Sequence, residues 1–209
     1  MRAGTRRRPS SAGRLGVALA TALLLAGCSG SPEPALPAST VQPSVLAQAK
    51  KDARIEDCPA SDPNVAVVPS GLPDVVLRCL GGGRDVRLAG LRGRPMMINI
   101  WAQWCGPCRE EAPYLTEVAN ANDSELMIMG IDYQDPLPDW AIEFARVSKW
   151  RFPQLQDQDR VLAGPLQIAG PPQTFFVRAD GTIAGRHVGP FRSAKQIREQ
   201  AKQYLGVRL

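Results

Sequence analysis

The sequence predicts an α/β fold with a mixed central sheet, helices on both faces and an N-terminal β extension. Three observations predict this class: short β-type runs in the first half, alternating strand and helix patterns after them, and a hairpin signal towards the C-terminus. A strand–helix–strand order favours parallel pairing, whereas a hairpin adds an antiparallel pair. The sheet should therefore be mixed.

The extension begins with two β-type runs, 65–68 and 75–77, and the glycines at 81–83 indicate a turn after them. The mostly apolar run 95–101 is typical of a buried central strand. A helix is predicted over 105–121.

A second buried strand is predicted over 125–131, and a helix over 138–150. In that helix Trp140, Phe144 and Val147 recur at helical spacing.

The apolar runs 175–177 and 183–188 flank the turn Asp180-Gly181, which predicts a hairpin. A closing helix is predicted over 195–205, with Ser193 as its N-cap.

The first 27 residues have the layout of a secretory signal peptide. Five arginines accompany the apolar run 15–26, which is too short for an ordinary membrane span. The sequence Leu25-Ala26-Gly27-Cys28 resembles a bacterial lipobox, in which the cysteine is lipidated and becomes the mature N-terminus. This interpretation predicts a lipid anchor on Cys28 at the extracytoplasmic face of a bacterial cell membrane. The alternative is an ordinary cleaved signal with an incidental cysteine.

Residues 28–57 are interpreted as a flexible tether, because most of the stretch is rich in proline, serine and alanine and cannot bury a core. A short helix is predicted within it over 45–56. The folded domain is predicted to span 58–209.

The net positive charge of the chain comes entirely from the predicted signal peptide. Without residues 1–27 the chain carries 25 − 5 = 20 basic and 20 acidic residues, so its formal net charge is zero. No electrostatic footprint for DNA or RNA remains, which argues against nucleic-acid binding.

Apart from Cys28, four cysteines remain: Cys58, Cys79, Cys105 and Cys108. The close spacing of the last two indicates one couple, which leaves Cys58 with Cys79. That second pair is interpreted as a structural disulfide; the alternative is a second redox pair that relays electrons to the first. Four cysteines could also bind zinc, but no second close-spaced ligand pair is present, so no metal or cofactor is expected.

Cys105 directly follows the predicted strand and opens the next helix. Unpaired backbone N–H groups and the helix dipole favour a thiolate there. Cys108, one turn further into the helix, is then the resolving cysteine. Gly106 and Pro107 lie between them, and a proline in the first turn costs no hydrogen bond. The alternative is an inert staple, but so short a loop gains little stability.

The run Trp101-Ala-Gln-Trp-Cys-Gly-Pro-Cys108 resembles the active-site run of the thioredoxin superfamily. Extended through Arg109-Glu-Glu-Ala-Pro113, it resembles the TlpA/ResA-like branch of secreted, membrane-tethered thiol–disulfide oxidoreductases. The resemblance covers about residues 72–205 and implies a thioredoxin fold.

The resemblance also implies roles for single residues. Pro172 matches the cis-proline that offers a neighbouring backbone to an incoming chain, and Pro171 before it departs from the residue usual there. Trp104 is expected in the docking surface with Gly106, Pro107 and Pro171.

Asn99 stands where thioredoxins keep a buried aspartate, so proton transfer to and from Cys108 needs another group. Glu111 matches an active-site glutamate of ResA-like proteins and is the candidate. The alternative is that Glu110 and Glu111 form a solvated helix face.

The predicted function is reduction of disulfides in exported proteins, which the resemblance extends to apocytochrome c. The alternatives are an oxidant or isomerase of the same substrates, and a non-catalytic binding lipoprotein. A membrane or soluble electron donor is an expected partner, and a monomer is expected. A peroxiredoxin would need a Pro-x-x-x-Thr-x-x segment before its cysteine, and Cys105 has none.

Overall fold

The structure is a computed structural model that describes residues 41–122 and 125–209. The predicted signal peptide, Cys28 and the first part of the tether lie outside the described residues. The helices are α1 (Pro43–Asp52), α2 (Gly106–Ala121), α3 (Pro138–Val147) and α4 (Ala194–Leu205). The strands are β1 (Val76–Cys79), β2 (Val86–Arg87), β3 (Met96–Trp101), β4 (Met127–Tyr133), β5 (Gln154–Asp157), β6 (Gln173–Val177) and β7 (Ile183–Val188). Within these ranges no helix has the length and apolar content needed to cross a bilayer.

The strands form one mixed sheet in the order β2-β1-β5-β4-β3-β6-β7. β3 pairs in parallel with β4, and β4 with β5, whereas β6 and β7 add an antiparallel hairpin beside β3. β1 extends the other edge antiparallel to β5, and β2 pairs antiparallel with β1. The predicted mixed sheet and β extension are confirmed.

β3 is an interior strand of the sheet, between β4 and β6, and is buried on both faces. Met96 and Ile98 point into one core, and Met97 and Trp101 into the other. This accounts for the continuous apolar run, because a strand covered on both sides has no solvated face.

The helices are distributed unevenly over the two faces of the sheet. Buried residues of all three long helices after β3, such as Leu115, Ile142 and Ile197, belong to the core cluster that includes Met97 and Trp101. The β3–α2–β4 and β4–α3–β5 crossovers step across the sheet in the same direction. Because such connections are right-handed, both helices lie on the same face. The other face is closed by a short 3-10 turn at Leu88–Gly90 and by the loop residues Leu162 and Leu166.

β5 was not predicted, because its sequence Gln-Leu-Gln-Asp is polar. Its first residue is nevertheless buried, and Gln154 Oε1 accepts a hydrogen bond of 2.9 Å from Trp101 Nε1. Gly130 on β4 makes this possible, because a Cβ there would lie 1.9 Å from that oxygen. Partners distant in sequence thus satisfy the buried amide.

The strand predicted over 65–68 is wrong. The carbonyl of Val65 accepts a hydrogen bond of 2.9 Å from Arg87, and that of Ala66 one of 3.3 Å from Arg92. Arginine side chains therefore take up backbone acceptors that a neighbouring strand would have used. The glycine turn is present, with positive φ at all three residues from Gly81 to Gly83.

The helix predicted within the tether is present as α1, but this part of the chain belongs to the folded domain. Ala53 and Ile55 just after it are buried in the core cluster that also holds α3. The Lys50 ammonium is buried as well; it donates to Gly82 O at 2.9 Å and pairs with Asp57 at 3.0 Å. The part of the predicted tether from Pro43 to residue 57 is therefore folded onto the domain.

Cys58 and Cys79 form the predicted disulfide, which is buried in the second core cluster. It joins the segment before β1 to the end of that strand. Because Cys105 and Cys108 belong to the opposite cluster, the sheet separates the two cysteine pairs. This placement favours a structural disulfide over an electron relay.

Replacing Cys58 and Cys79 together by alanine is expected to lower the free energy of unfolding by about 3 kcal/mol, the chain-entropy value for a loop of this length. Chemical denaturation of the oxidised protein measures the loss. Disulfide exchange at 25 °C should be unchanged. A parallel loss of exchange activity in the folded variant would instead support the relay.

Candidate active site

The dithiol lies at the point where β3 ends and α2 begins. Cys105 is the N-cap of α2, and its Sγ accepts a hydrogen bond of 3.2 Å from the Cys108 backbone N–H. The two sulfurs are joined in a disulfide, with Pro107 in the first turn of the helix between them. The predicted strand–loop–helix placement is therefore confirmed, and it aims the positive end of the helix at Cys105.

An exposed rim surrounds the two buried sulfurs. Gly106 and Pro107 are exposed. The Trp104 side chain is 48% exposed, and its Nε1 donates to Gln134 O at 3.1 Å. This hydrogen bond fixes the indole beside Cys105, so an apolar surface faces any chain that approaches the dithiol.

Pro172 follows a cis peptide bond after Pro171, as predicted. It directly precedes β6, whose first residue Gln173 pairs with Ile100 of β3. The cis-proline is therefore placed alongside the end of the strand that leads to Cys105. Pro171 is half-buried and Pro172 is buried.

Glu111 lies on α2, one turn after Cys108, and its side chain is fully buried. Its Oε1 accepts a hydrogen bond of 2.9 Å from Asn99 Nδ2, and its Oε2 one of 2.9 Å from the Phe191 backbone N–H. Asn99 also donates to Thr174 Oγ1 at 3.0 Å. The alternative of a solvated face is wrong for Glu111, although it describes Glu110.

Burial raises the pKa of Glu111 from 4.5 to about 7, because the charged form loses its hydration. The hydrogen bonds from Phe191 and Asn99 work in the opposite direction and limit the rise. A carboxyl that titrates near neutral pH is suited to exchange protons with a thiol. The spacing of one helical turn places Glu111 on nearly the same side of α2 as Cys108.

Two further buried carboxyls, Asp132 and Asp135, lie beside the active-site loop. They were not predicted from the sequence. Both are fully buried, and Asp135 Oδ2 accepts a hydrogen bond of 3.0 Å from the Gln103 backbone N–H. Burial is the main cause that raises the pKa of Asp132 well above its usual value, and the neighbouring Asp135 adds to it. Through this hydrogen bond Asp135 supports the loop that carries Trp104. Its only sequence signal is two aspartates near the end of a strand.

No group of three or more His, Cys, Asp or Glu side chains in 41–122 and 125–209 is arranged to hold a metal ion.

Comparison with known proteins places this site in a defined family. The model described as the AhpC/TSA family matches residues 69–186. The thiol:disulfide interchange protein DsbE of Pseudomonas fluorescens biotype C is 33% identical over 135 residues, which cover 63% of this chain and 72% of the relative. The thiol-disulfide oxidoreductase ResA of Bacillus anthracis is 26% identical over 125 residues, 59% of this chain and 68% of the relative.

Solved structures agree with this assignment. DsbF of Mycobacterium tuberculosis superposes with a TM-score of 0.57 at 26% identity, over 66% of this chain and 98% of that one. A secreted disulfide oxidoreductase of the same organism, described as homologous to DsbE of Escherichia coli, gives a TM-score of 0.55 at 26% identity over 62% and 96%. The thioredoxin-like fold and the thiol–disulfide chemistry predicted from the dithiol run are confirmed.

Proposed function

We propose that this chain, which belongs to the AhpC/TSA family and is a thiol–disulfide oxidoreductase of the DsbE and ResA type, reduces disulfides of exported proteins from a lipid anchor outside the cytoplasm. The observation that carries the proposal is a dithiol at a helix N-terminus with a carboxyl of near-neutral pKa buried one turn below it. Together these groups supply a nucleophile, a resolving thiol and a proton acceptor.

The reaction begins with the Cys105 thiolate, which attacks one sulfur of the substrate disulfide. A mixed disulfide forms, and the first substrate sulfur leaves as a thiolate that takes up a proton. Glu111 then accepts the proton of Cys108, whose thiolate attacks Cys105 Sγ and releases the second substrate thiolate. The two electrons come from the dithiol, which ends as the 105–108 disulfide. An external thiol donor must reduce it again.

The residues around the dithiol are the ones that contact the substrate. Trp104, Gly106 and Pro107 offer an exposed surface beside Cys105. The Pro171 carbonyl, just before cis-Pro172, is the backbone group that an extended chain can pair with at the end of β3. Neither proline has an N–H to donate, and the Pro172 carbonyl already accepts a hydrogen bond of 3.0 Å from the Gly189 N–H.

The sequence supports the proposed location and substrates. The lipobox-like run ending at Cys28 supports a diacyl anchor, which meets the two-signal requirement for stable membrane attachment. A neighbour in the comparison is described as secreted, which agrees with an extracytoplasmic site. Apocytochrome c is the substrate that the family resemblance suggests.

The reduction potential of the 105–108 couple is expected near the thioredoxin value of about −270 mV, well below the value of about −120 mV typical of strong oxidants. The dipeptide between the cysteines, Gly106-Pro107, carries no charge that would stabilise the reduced thiolate. Equilibration with glutathione buffers measures the potential. A value far above about −200 mV would show an oxidant instead.

A further inference from the structure

A groove between α2 and α3 opens beside the dithiol and has no role in the exchange reaction itself. It has a volume of about 510 Å³ and is lined by Gln103, Arg109, Trp140, Phe144 and Val147, among others. A second hollow of about 480 Å³ shares Arg109, Phe144 and Val147 and continues the same depression to Lys149. These residues together are called the α2–α3 groove below.

The α2–α3 groove is formed by the apolar stripe that the sequence shows on α3. Only Phe144 of this stripe is buried, whereas Trp140 is 60% and Val147 59% exposed. Phe144 reaches the core, where it stacks on Trp101, and Ala141 and Ala145 make further core contacts of α3. The helix therefore has a second apolar face, which folding leaves in water. A large exposed indole in a concave site is typical of a binding surface.

The groove is continuous with the dithiol. Gln103 lies two residues before Cys105, and Arg109 directly follows Cys108. The Arg109 guanidinium donates to the Gln103 carbonyl and lies 5.8 Å from the centre of the Phe144 ring. A chain whose cysteine reaches Cys105 can therefore place its flanking residues in the groove.

The charges in the groove favour an acidic occupant. Glu143 is compensated by Arg146, with 2.6 Å between Nη2 and Oε1. Within the described ranges neither Arg109 nor Lys149 has a carboxylate at ion-pair distance. Two uncompensated cations thus face one remaining carboxylate, Asp139. A second copy of this chain fits poorly, because a two-fold contact through the groove would bring the same cations together.

We propose that the α2–α3 groove is a substrate-specificity site. It binds a segment next to the substrate disulfide that carries a bulky apolar side chain and a neighbouring carboxylate. The apolar side chain packs against Trp140 and Val147, at the rim of the Phe144 ring, and the carboxylate pairs with Lys149 or Arg109. This inference rests on the proposed function and adds a preference for part of the substrate sequence.

The test uses disulfide-bonded peptides in which a Phe-Glu pair is placed at several spacings on either side of one cysteine. Matched peptides carry Ser-Gln at the same positions. With the reduced protein, we expect KM at the favoured spacing to be about tenfold lower for the Phe-Glu peptide, the effect of a buried aromatic anchor. kcat should be the same. The double variant Trp140→Ser/Val147→Ser should abolish the difference, and Lys149→Gln should reduce it and weaken its salt dependence.

Val76→Ser is the matched control, because Val76 is also 59% exposed but lies on β1, towards the far edge of the sheet. It should leave the difference intact. Turnover of glutathione disulfide, which has no such flank, should be equal in all variants and shows that each is folded and active. Equal KM values for both peptides at every spacing would overturn the inference alone. So would a dimer that the double variant dissociates, because a second copy would then fill the groove. If the wild-type protein reduced no disulfide at all, the proposed function would fail as well.

Discussion

Replacing Cys105 by serine is expected to lower the rate of disulfide reduction on the order of a thousandfold or more, as the loss of a nucleophile does in other enzymes. Cys105 is the cysteine at the helix N-cap, beside the exposed residues Trp104, Gly106 and Pro107. Serine keeps the cap but its hydroxyl stays protonated at neutral pH. Precipitation of insulin in the presence of dithiothreitol measures the rate.

Cys108→Ser is the informative partner of this variant. Cys108 is fully buried, so it should attack only after the substrate is attached to Cys105. The variant should accumulate a stable mixed disulfide through Cys105, and mass spectrometry of that species identifies the substrate. Unchanged insulin reduction by Cys105→Ser would mean that the chain is a binding module on a thioredoxin scaffold.

The dithiol could be predicted from sequence because its chemistry is local. The strand, the loop and the helix N-terminus follow one another within residues 95–121, and each has its own pattern of apolar or capping residues. Glu111 was a candidate only through the family resemblance. The contacts that bury it come from Asn99, 12 residues before it, and Phe191, 80 residues after it. No periodicity in the sequence connects these positions.

The features that could not be predicted from the sequence also depend on contacts between distant parts of the chain. β5 was missed because its residues are mostly polar. The contacts that allow Gln154 to be buried come from Trp101 on β3 and Gly130 on β4, which are distant in sequence. The distribution of helices depends on the direction in which successive crossovers move, and strand order is a property of the whole chain. The stripe on α3 shows the converse case. Helical spacing identified the stripe, but only the structure reveals that Trp140 and Val147 remain exposed.

Glu111→Gln is expected to stabilise the protein above pH 7 and to slow its reaction. The pKa of Glu111 is raised from 4.5 to about 7 by burial. Its contribution to stability is therefore full below pH 4.5 and is lost as the pH rises through about 7. The rise of this pKa from 4.5 to about 7 corresponds to about 3 kcal/mol of unfolding free energy, which the wild-type protein loses over this range. The glutamine variant should lose none of it.

The variant can keep the buried hydrogen bonds. The glutamine oxygen can accept from the Phe191 N–H, as Glu111 does now. Asn99 can turn its amide over, so that its oxygen, which has no partner among the described residues, accepts from the new amide group and from Thr174. Urea unfolding at pH 5 and pH 8 measures the effect. The free energy of unfolding attributed to this site should differ between the two pH values in the wild-type protein only.

The activity should change in the opposite direction. Below pH 7 the wild-type Glu111 is protonated and cannot accept the proton of Cys108, so the rate of resolution should rise as the pH passes through about 7. Glutamine removes this limb of the pH profile and lowers the rate at pH 7.5 about a hundredfold, the lower range for loss of a general base. Stopped-flow release of substrate from the mixed disulfide isolates this step.

Glu110→Gln is the matched control, since the Glu110 side chain is 65% exposed and its ion pair with Arg192 is long, at 3.8 Å. That change should alter neither the stability nor the pH profile. A structural carboxyl would show the stability change alone, and a surface charge would show neither. A gain in alkaline stability together with slower resolution is expected only if the protein keeps a buried, titrating carboxyl for proton transfer to and from Cys108. An unchanged pH profile in Glu111→Gln would rule out that role.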